Sequence, residues 1–336
     1  MKQLAGQTAI YGLSSILGRM INFLLVPLQT AVLTQSEYGI NVDFYSLIAF
    51  LIVIVTFGME TSYFRFAEQK GLDERKVFGA SVTMISLAVL AIALFAYLFQ
   101  QPILAALRYQ DAPQYLFYLV AILALDALSA IPFARLRRQN KAFRFAGIKL
   151  VLIFSNVAIN LYFFLPSYWE LHEITGWWSH EMRGVDYIFI ANFWASLIMF
   201  GLLLPTLRPL KLNLDPKYTK VLLRFGIPLL IGGLAGIANE MLDRQLLKYL
   251  LPKESWAQGV GIYGAVYKIS IFLILFNQAF RYAAEPFFFK NAKNADGKEK
   301  MAKVMVGFTW VMSIAFVMII SGLDYLKYFI DEKFWV

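Results

Sequence analysis

The chain is expected to be an all-α integral membrane protein: a polytopic helical bundle of two pseudo-repeated lobes, six helices in the first and an incomplete set in the second. Three observations predict this. Apolar residues make up 59% of the 336 positions and charged residues only 16%, with a mean hydropathy of +0.59, whereas a soluble domain is about half apolar and about a quarter charged. The apolar residues come in runs of membrane-crossing length, and a bilayer core about 30 Å thick needs roughly 20 residues of helix. Lysine and arginine gather in every second connection.

Nine spans follow in order. The first, Leu4 to Leu33, is too long for a cleaved signal peptide and reads as a retained helix. Gly12, Ser15, Arg19 and Asn22 recur along it at steps of three and four and so share one face. The second, Val42 to Phe66, carries Ser46, Thr56, Glu60 and Tyr63 on a common face. Spans three to six, Val77 to Phe99, Tyr115 to Leu136, Phe145 to Leu165 and Val185 to Leu207, show far weaker polar stripes. The seventh, Val221 to Leu250, aligns Gly232, Gly236, Asn239 and Asp243, with Glu240 and Arg244 beside them as an i,i+4 pair. The eighth, Ile262 to Phe289, has a stripe of Tyr263, Tyr267, Ser270, Asn277, Arg281 and Glu285. The ninth runs from Val304 to Gly322, and "DYLKYFIDEKFWV" after it reads as a short loop and the start of a tenth helix. On that reading the chain is incomplete.

The charges orient these spans. One set of connections holds Arg65, Lys70, Arg75, Lys76, then Arg135, Arg137, Arg138, Lys141, Arg144, then Arg208, Lys211, Lys217, Lys220, Arg224, then Lys290, Lys293, Lys298, Lys300, Lys303. The other holds Arg108, Arg183, Lys248, Lys253, Lys327 and Lys333. The positive-inside rule places the first set and the N-terminus in the cytoplasm. It also accounts for the net charge of +9, so no nucleic-acid partner is expected.

The chain also repeats. "YGINVDFYSLIAFLIVIVTFGMETSYFRF" from Tyr38 and "YGAVYKISIFLILFNQAFRYAAEPFFFK" from Tyr263 both begin Tyr-Gly. Both place a glutamate at the same offset, Glu60 and Glu285, and a cation five residues later, Arg65 and Lys290. Six spans separate the copies, so both point the same way, as in transporters built from parallel repeats. The division predicted is 1–212 for the first lobe and 213–336 for the second.

The polar stripes lie on spans one, two, seven and eight. Charges within a membrane face a bundle interior or a water-filled cavity. Arg19, Asn22, Asn239, Arg244, Asn277 and Arg281 are therefore the candidate substrate-binding residues, and Asp243, Glu60, Glu285 and Glu240 the candidate coupling or gating residues. Glu60 and Glu285 could instead latch the lobes by pairing with Arg65 or Lys290. Gly232-x-x-x-Gly236 is of the kind that lets helices pack closely. No catalytic residue is expected. There is no cysteine, hence no thiol chemistry or disulfide. His172-Glu173 and His180-Glu181 lack zinc-helix spacing, and Trp169, Trp177 and Trp178 around them suit a membrane interface, so no metal is expected. "GVGIYG" fits a dinucleotide motif only if a strand precedes it, and a loop and membrane helix flank it here.

Spans such as "TAIYGLSSILGRMINFLLVPL" and "FGIPLLIGGLAGIANEMLDRQLL", each followed by a Tyr-Gly segment ("GIYGAVYKI" after the second), resemble the polysaccharide-export branch of the multidrug/oligosaccharidyl-lipid/polysaccharide exporter superfamily. The resemblance implies two six-helix lobes around a cavity lined by helices one, two, seven and eight. It implies a flippase of the bacterial inner membrane, not an enzyme, that moves polyprenyl-pyrophosphate-linked oligosaccharide to the outer leaflet by alternating access. Such a protein needs no cofactor beyond a coupling proton or sodium ion. Its expected partners are the lipid-linked oligosaccharide, membrane lipids and other polysaccharide-assembly proteins, with the chain itself a monomer. A multidrug exporter of the same superfamily is the alternative. A membrane glycan polymerase or glycosyltransferase is a further one, disfavoured by the short, aromatic loop near 166 to 184.

Overall fold

The computed structural model describes residues 17, 20–21, 23–168, 183–208, 210–271, 273–274, 276–277, 280, 284 and 297–335. The described residues are helical throughout their regular structure. The helices are α1 (Val26–Val32), α2 (Gln35–Thr56), α3 (Met59–Ala67), α4 (Glu74–Leu98), α5 (Gln100–Leu107), α6 (Gln114–Arg138), α7 (Ala142–Tyr168), α8 (Gly184–Leu207), α9 (Pro216–Leu250), α10 (Trp256–Tyr267), α11 (Gly297–Ser321) and α12 (Leu323–Leu326). Seven segments among them are long and apolar enough to cross a membrane: 35–67, 74–98, 114–138, 142–165, 184–207, 216–250 and 297–321. They correspond to expected spans two to seven and nine. Spans one and eight fall partly outside the described residues.

Local chemistry sets the ends. Thr34 caps α2, its hydroxyl accepting from Glu37 N while the Glu37 carboxylate accepts from Thr34 N at 2.9 Å, a reciprocal box that starts the helix well before Val42. Asp73 caps α4 by accepting from Arg75 N at 2.8 Å, and Asp215 caps α9 ahead of Pro216 by accepting from Lys217 N at 2.9 Å. Span two is not one straight helix. Phe57 and Gly58 both take left-handed backbone (φ 30 and 70) and separate α2 from α3. The predicted common face of Ser46, Thr56, Glu60 and Tyr63 therefore does not exist, because a helical wheel cannot be continued through such a break.

Connections gather at two ends. One end has the joints 67–74, 138–142 and 208–216, where Arg138 donates to Ala67 O and pairs with Glu74 at 3.2 Å. This is the Lys/Arg-rich end. The opposite end has the joints 99–113 and 250–256, where Arg108 donates to the C-terminal carbonyls of α9, Lys248 O at 2.7 Å and Leu251 O at 3.3 Å. A cation there also suits the helix dipole. Each end has its own buried core: Met59, Tyr63, Phe78, Ile131, Tyr218 and Leu222 at the first, and Phe44, Tyr109, Tyr115, Phe189, Trp256 and Val260 at the second. Large apolar side chains such as Leu90, Leu94 and Trp310 stay exposed, as lipid-facing residues do.

The tightest crossing is α2 against α10. A Cβ on Gly39 would lie 1.7 Å from Ala257 O, and one on Gly261 would lie 2.0 Å from Gln35 O. Only hydrogen fits at either position. The Tyr38-Gly39 of one repeat is thus packed against the segment preceding the Tyr263-Gly264 of the other, and "GVGIYG" is a helix-packing seam. Gly232 and Gly236, expected to make close packing, have no neighbouring atom within 4 Å. The glycines of α9 that do approach another segment are Gly226, whose Cβ would meet Phe57 O at 2.6 Å, and Gly233, whose Cβ would meet Val53 Cγ1 of α2 at 3.0 Å.

Candidate functional site: a polar cavity joining both halves of the sequence

A cavity of about 340 Å³ lies on the inner side of the α2–α10 seam. α1 supplies Gln29, α2 supplies Asn41, Tyr45 and Ser46, α9 supplies Met241 and Arg244, and Tyr267 and Lys268 come from α10 and the turn after it. These are spans one, two, seven and eight. Spans four, five and six contribute as well, through Asp126, Asn156, Asn192 and Ser196, although their polar stripes are weak in sequence. The signal that could have found them is simpler than a stripe: a lone carboxylate such as Asp126 inside "LVAILALDALSAIPF" is itself a functional hypothesis in a membrane helix.

The two sides differ in charge. Asp126 Oδ1 accepts from Ser196 Oγ at 2.9 Å, lies within electrostatic reach of Lys149, and has a hydrogen-bonded Tyr45–Asn192 pair nearby. Asn41 is buried and its side-chain oxygen has no partner among the described residues. Across the cavity Arg244 is buried and Lys268 stands within electrostatic reach of it. Arg244 Nη1 donates to Glu240 O at 2.6 Å and pairs with Asp243 Oδ1 at 3.2 Å, and the guanidinium lies 4.3 Å from the Tyr267 ring centre. Asp243 also accepts from the Tyr263 hydroxyl. Lys268 has no acceptor among the described residues. Two neighbouring cations, of which Arg244 alone has a carboxylate partner among the described residues, make that wall an anion-attracting surface.

Several expectations need correcting. Glu240 does not pair with Arg244: its carboxylate is exposed, and Arg244 turns to the backbone carbonyl and to Asp243 instead. Asn239 and Asn277 are exposed and do not line this cavity. Glu60 pairs with Arg137, not Arg65, because the α2–α3 break turns it toward the end of α6. Arg65 instead stacks on Phe225 of α9 at 4.4 Å. Arg19, Asn22, Arg281 and Glu285 lie outside the described residues, as do Lys290, both His-Glu pairs and the three tryptophans near them. No group of metal-ligating side chains occurs among the described residues.

Next to the cavity is a buried ionic network that the sequence reading did not anticipate. Lys248, counted above among the loop cations, is fully buried, and its amine donates to Asp43 Oδ2 at 2.5 Å. The Tyr109 hydroxyl donates to the same oxygen, and Gln245 donates to Asp43 Oδ1 at 2.8 Å and to the Ser46 hydroxyl. Burial first, and the Asp43 carboxylate second, push the Tyr109 phenol well above its usual range, so it remains a donor. The Lys248 amine also lies 4.5 Å from the Tyr109 ring centre and 4.7 Å from that of Trp256. Ser46 belongs to both network and cavity, so the network closes the cavity toward the end opposite the Lys/Arg-rich loops. It was missed because span two was started at Val42, which put Asp43 at a helix end, whereas Asp43 lies more than two turns inside α2.

Among solved structures the chain is similar to the MATE multidrug transporter DinF-BH in complex with R6G, with a TM-score of 0.53 at 15% identity over 93% of this chain and 71% of that one. It is also similar to the Vibrio cholerae MATE transporter VcmN in its bent form, with a TM-score of 0.49 at 16% identity over 86% and 72%. At these identities the first likeness speaks for the fold alone. No curated protein matches the chain significantly. The profile described as "Polysaccharide biosynthesis protein" matches residues 4–292. With most of its length matched, the chain belongs to the polysaccharide biosynthesis protein family.

Proposed function

We propose that the chain is a flippase for polyprenyl-pyrophosphate-linked oligosaccharide, a unit of O-antigen, capsule or exopolysaccharide. On this reading it lies in the bacterial inner membrane with a cytoplasmic N-terminus, and its 1–212 and 213–336 lobes rock about the cavity. The observation that carries it is the Arg244–Lys268 pair facing a polar cavity. A pyrophosphate neutralises two adjacent cations, and the free Asn41 oxygen with Asn156 and Asn192 suits the hydroxyls of an adjoining sugar. At about 340 Å³ the cavity has room for that head and leaves the lipid tail to the bilayer. A multidrug exporter of cationic compounds would want an available carboxylate, and Asp126 is already engaged by Ser196 and Lys149. Coupling to a proton or sodium gradient through Asp243, which holds Arg244, belongs to the same proposal, because an ion biases the rocking only if it binds the two states differently.

The test is flipping of a lipid-linked oligosaccharide in reconstituted vesicles, read by access of a lectin added outside. Lys268→Gln and Arg244→Ala should each lower the rate at least tenfold with normal protein yield, and Arg244→Lys should keep part of it by retaining charge without the bidentate fork. Unchanged flipping in both Lys268→Gln and Arg244→Ala would sink the proposal.

A further inference from the structure

The Lys/Arg-rich end holds a second pocket, of about 490 Å³, lined by Asp73, Arg75, Lys76, Arg208, Leu210, Lys211, Leu212 and Asn213. It lies where the 208–215 connection, which joins the sixth expected span to the seventh, crosses the start of α4. That connection is fixed. Asn213 N donates to the Thr83 hydroxyl and Asn213 Nδ2 to Lys76 O, both at 3.2 Å. The chain lies so close to α4 that a Cβ on Gly79 would sit 2.1 Å from Lys211 O. Four cations are thereby held around one pocket. None of the four side chains has an ion-pair partner among the described residues, and Asp73 is already occupied in capping α4 through Arg75 N. The same connection exposes two leucines: Leu212 at 74% and Leu214 at 55% of their surface. Apolar side chains beside unpaired cations, at the water-side ends of the apolar segments 74–98 and 184–207, match a molecule with a phosphate head and a hydrocarbon body.

We propose that this pocket binds the headgroup of an anionic glycerophospholipid. Arg75, Lys76, Arg208 and Lys211 hold its phosphate, and Leu212 and Leu214 meet its upper chain. Cation clusters at the cytoplasmic ends of membrane helices recognise such headgroups, each Lys or Arg contributing about fivefold in affinity. The lipid would also clamp the connection between the two halves of the sequence to α4.

The experiment uses the full chain, purified and delipidated, titrated with phosphatidylglycerol or phosphatidylcholine and read by native mass spectrometry. Phosphatidylglycerol should be retained in preference to phosphatidylcholine. Arg208→Gln with Lys211→Gln should weaken it about 25-fold, at about fivefold for each cation removed. The swap Arg208→Lys with Lys211→Arg should keep binding. If the double glutamine variant folds poorly, Arg75→Gln alone, at an exposed side chain, should weaken binding about fivefold. The control Lys141→Gln with Arg144→Gln removes two exposed cations from another connection at the same end and should change nothing. Equal retention of both lipids, an equal loss in the control, or undiminished binding in the glutamine variants would overturn the site. Inorganic phosphate displacing the lipid at equal concentration would show a free-anion site instead and overturn the lipid assignment.

Discussion

Asp43 and Lys248 show how differently one residue type behaves by position. Isolated charges in hydrocarbon are costly, and a buried pair broken from one side costs roughly 3–5 kcal/mol, because the remaining charge has no partner. Replacing both members by apolar groups of similar size is often neutral. Asp43→Asn and Lys248→Met are each expected to lower the thermal midpoint of the detergent-purified protein markedly, whereas Asp43→Leu with Lys248→Met should recover most of it. The recovered double variant should still flip substrate poorly, since what it lacks is a contact that can be made and broken. Full transport by that double variant would show the pair to be packing and nothing more. The same residues mark a limit of reading from sequence. Polar stripes pointed to Arg244 and its neighbours, and the structure puts Arg244 on the cavity wall. They could not reveal Asp43 with Lys248, which lie 205 positions apart and meet only once α2 and α9 are packed.

Among the helices, seven segments were legible in existence and order, because a run of apolar side chains fixes a membrane helix more firmly than propensity fixes a soluble one, but several start a turn or two before the apolar run does, as α2 does at Gln35 and α11 at Gly297. What did not show was how they cross. Glycine spacing proposed Gly232 and Gly236 as packing positions, and they are open, while close approaches occur at others, Gly39, Gly261 and Gly226 among them. Small-residue spacing says that a helix could be approached, not that a partner is there. This gives a paired prediction on thermal unfolding. Gly236→Ala should be neutral or stabilise, since alanine is better than glycine in a helix by about 1 kcal/mol. Gly261→Ala should destabilise clearly, because its methyl group would overlap the Gln35 carbonyl. The break at Phe57-Gly58 was equally hidden. It makes Glu60, expected as a candidate latch, a partner of Arg137, while Arg65 stacks on Phe225 of α9.

For the whole molecule, alternating charge in the loops predicts the topology, and a chain without cysteine makes it easy to test. Single cysteines replacing Lys141 and Lys253, both exposed, should react with an impermeant maleimide from opposite faces of the membrane, and reaction from one face would overturn the orientation. Transport then requires the cavity to open at one end and later at the other. At the end carrying Asp43 and Lys248, the contacts that hold α2 to the second half of the sequence include three with α9 and α10: the ionic network, the Gly39–Gly261 seam, and a hydrogen bond from Gln258 Nε2 to Gln35 Oε1 at 2.7 Å. If the proposed rocking occurs, all three must part together in the state that releases the oligosaccharide. Cysteines at Gln35 and Gln258, joined by a short bis-maleimide linker, should therefore stop flipping while leaving binding of a pyrophosphate lipid intact. A bis-maleimide linker with a disulfide in its spacer should restore flipping on reduction. If the linked protein flips at the unlinked rate, the seam never opens, and release must occur through some other gap between the helices.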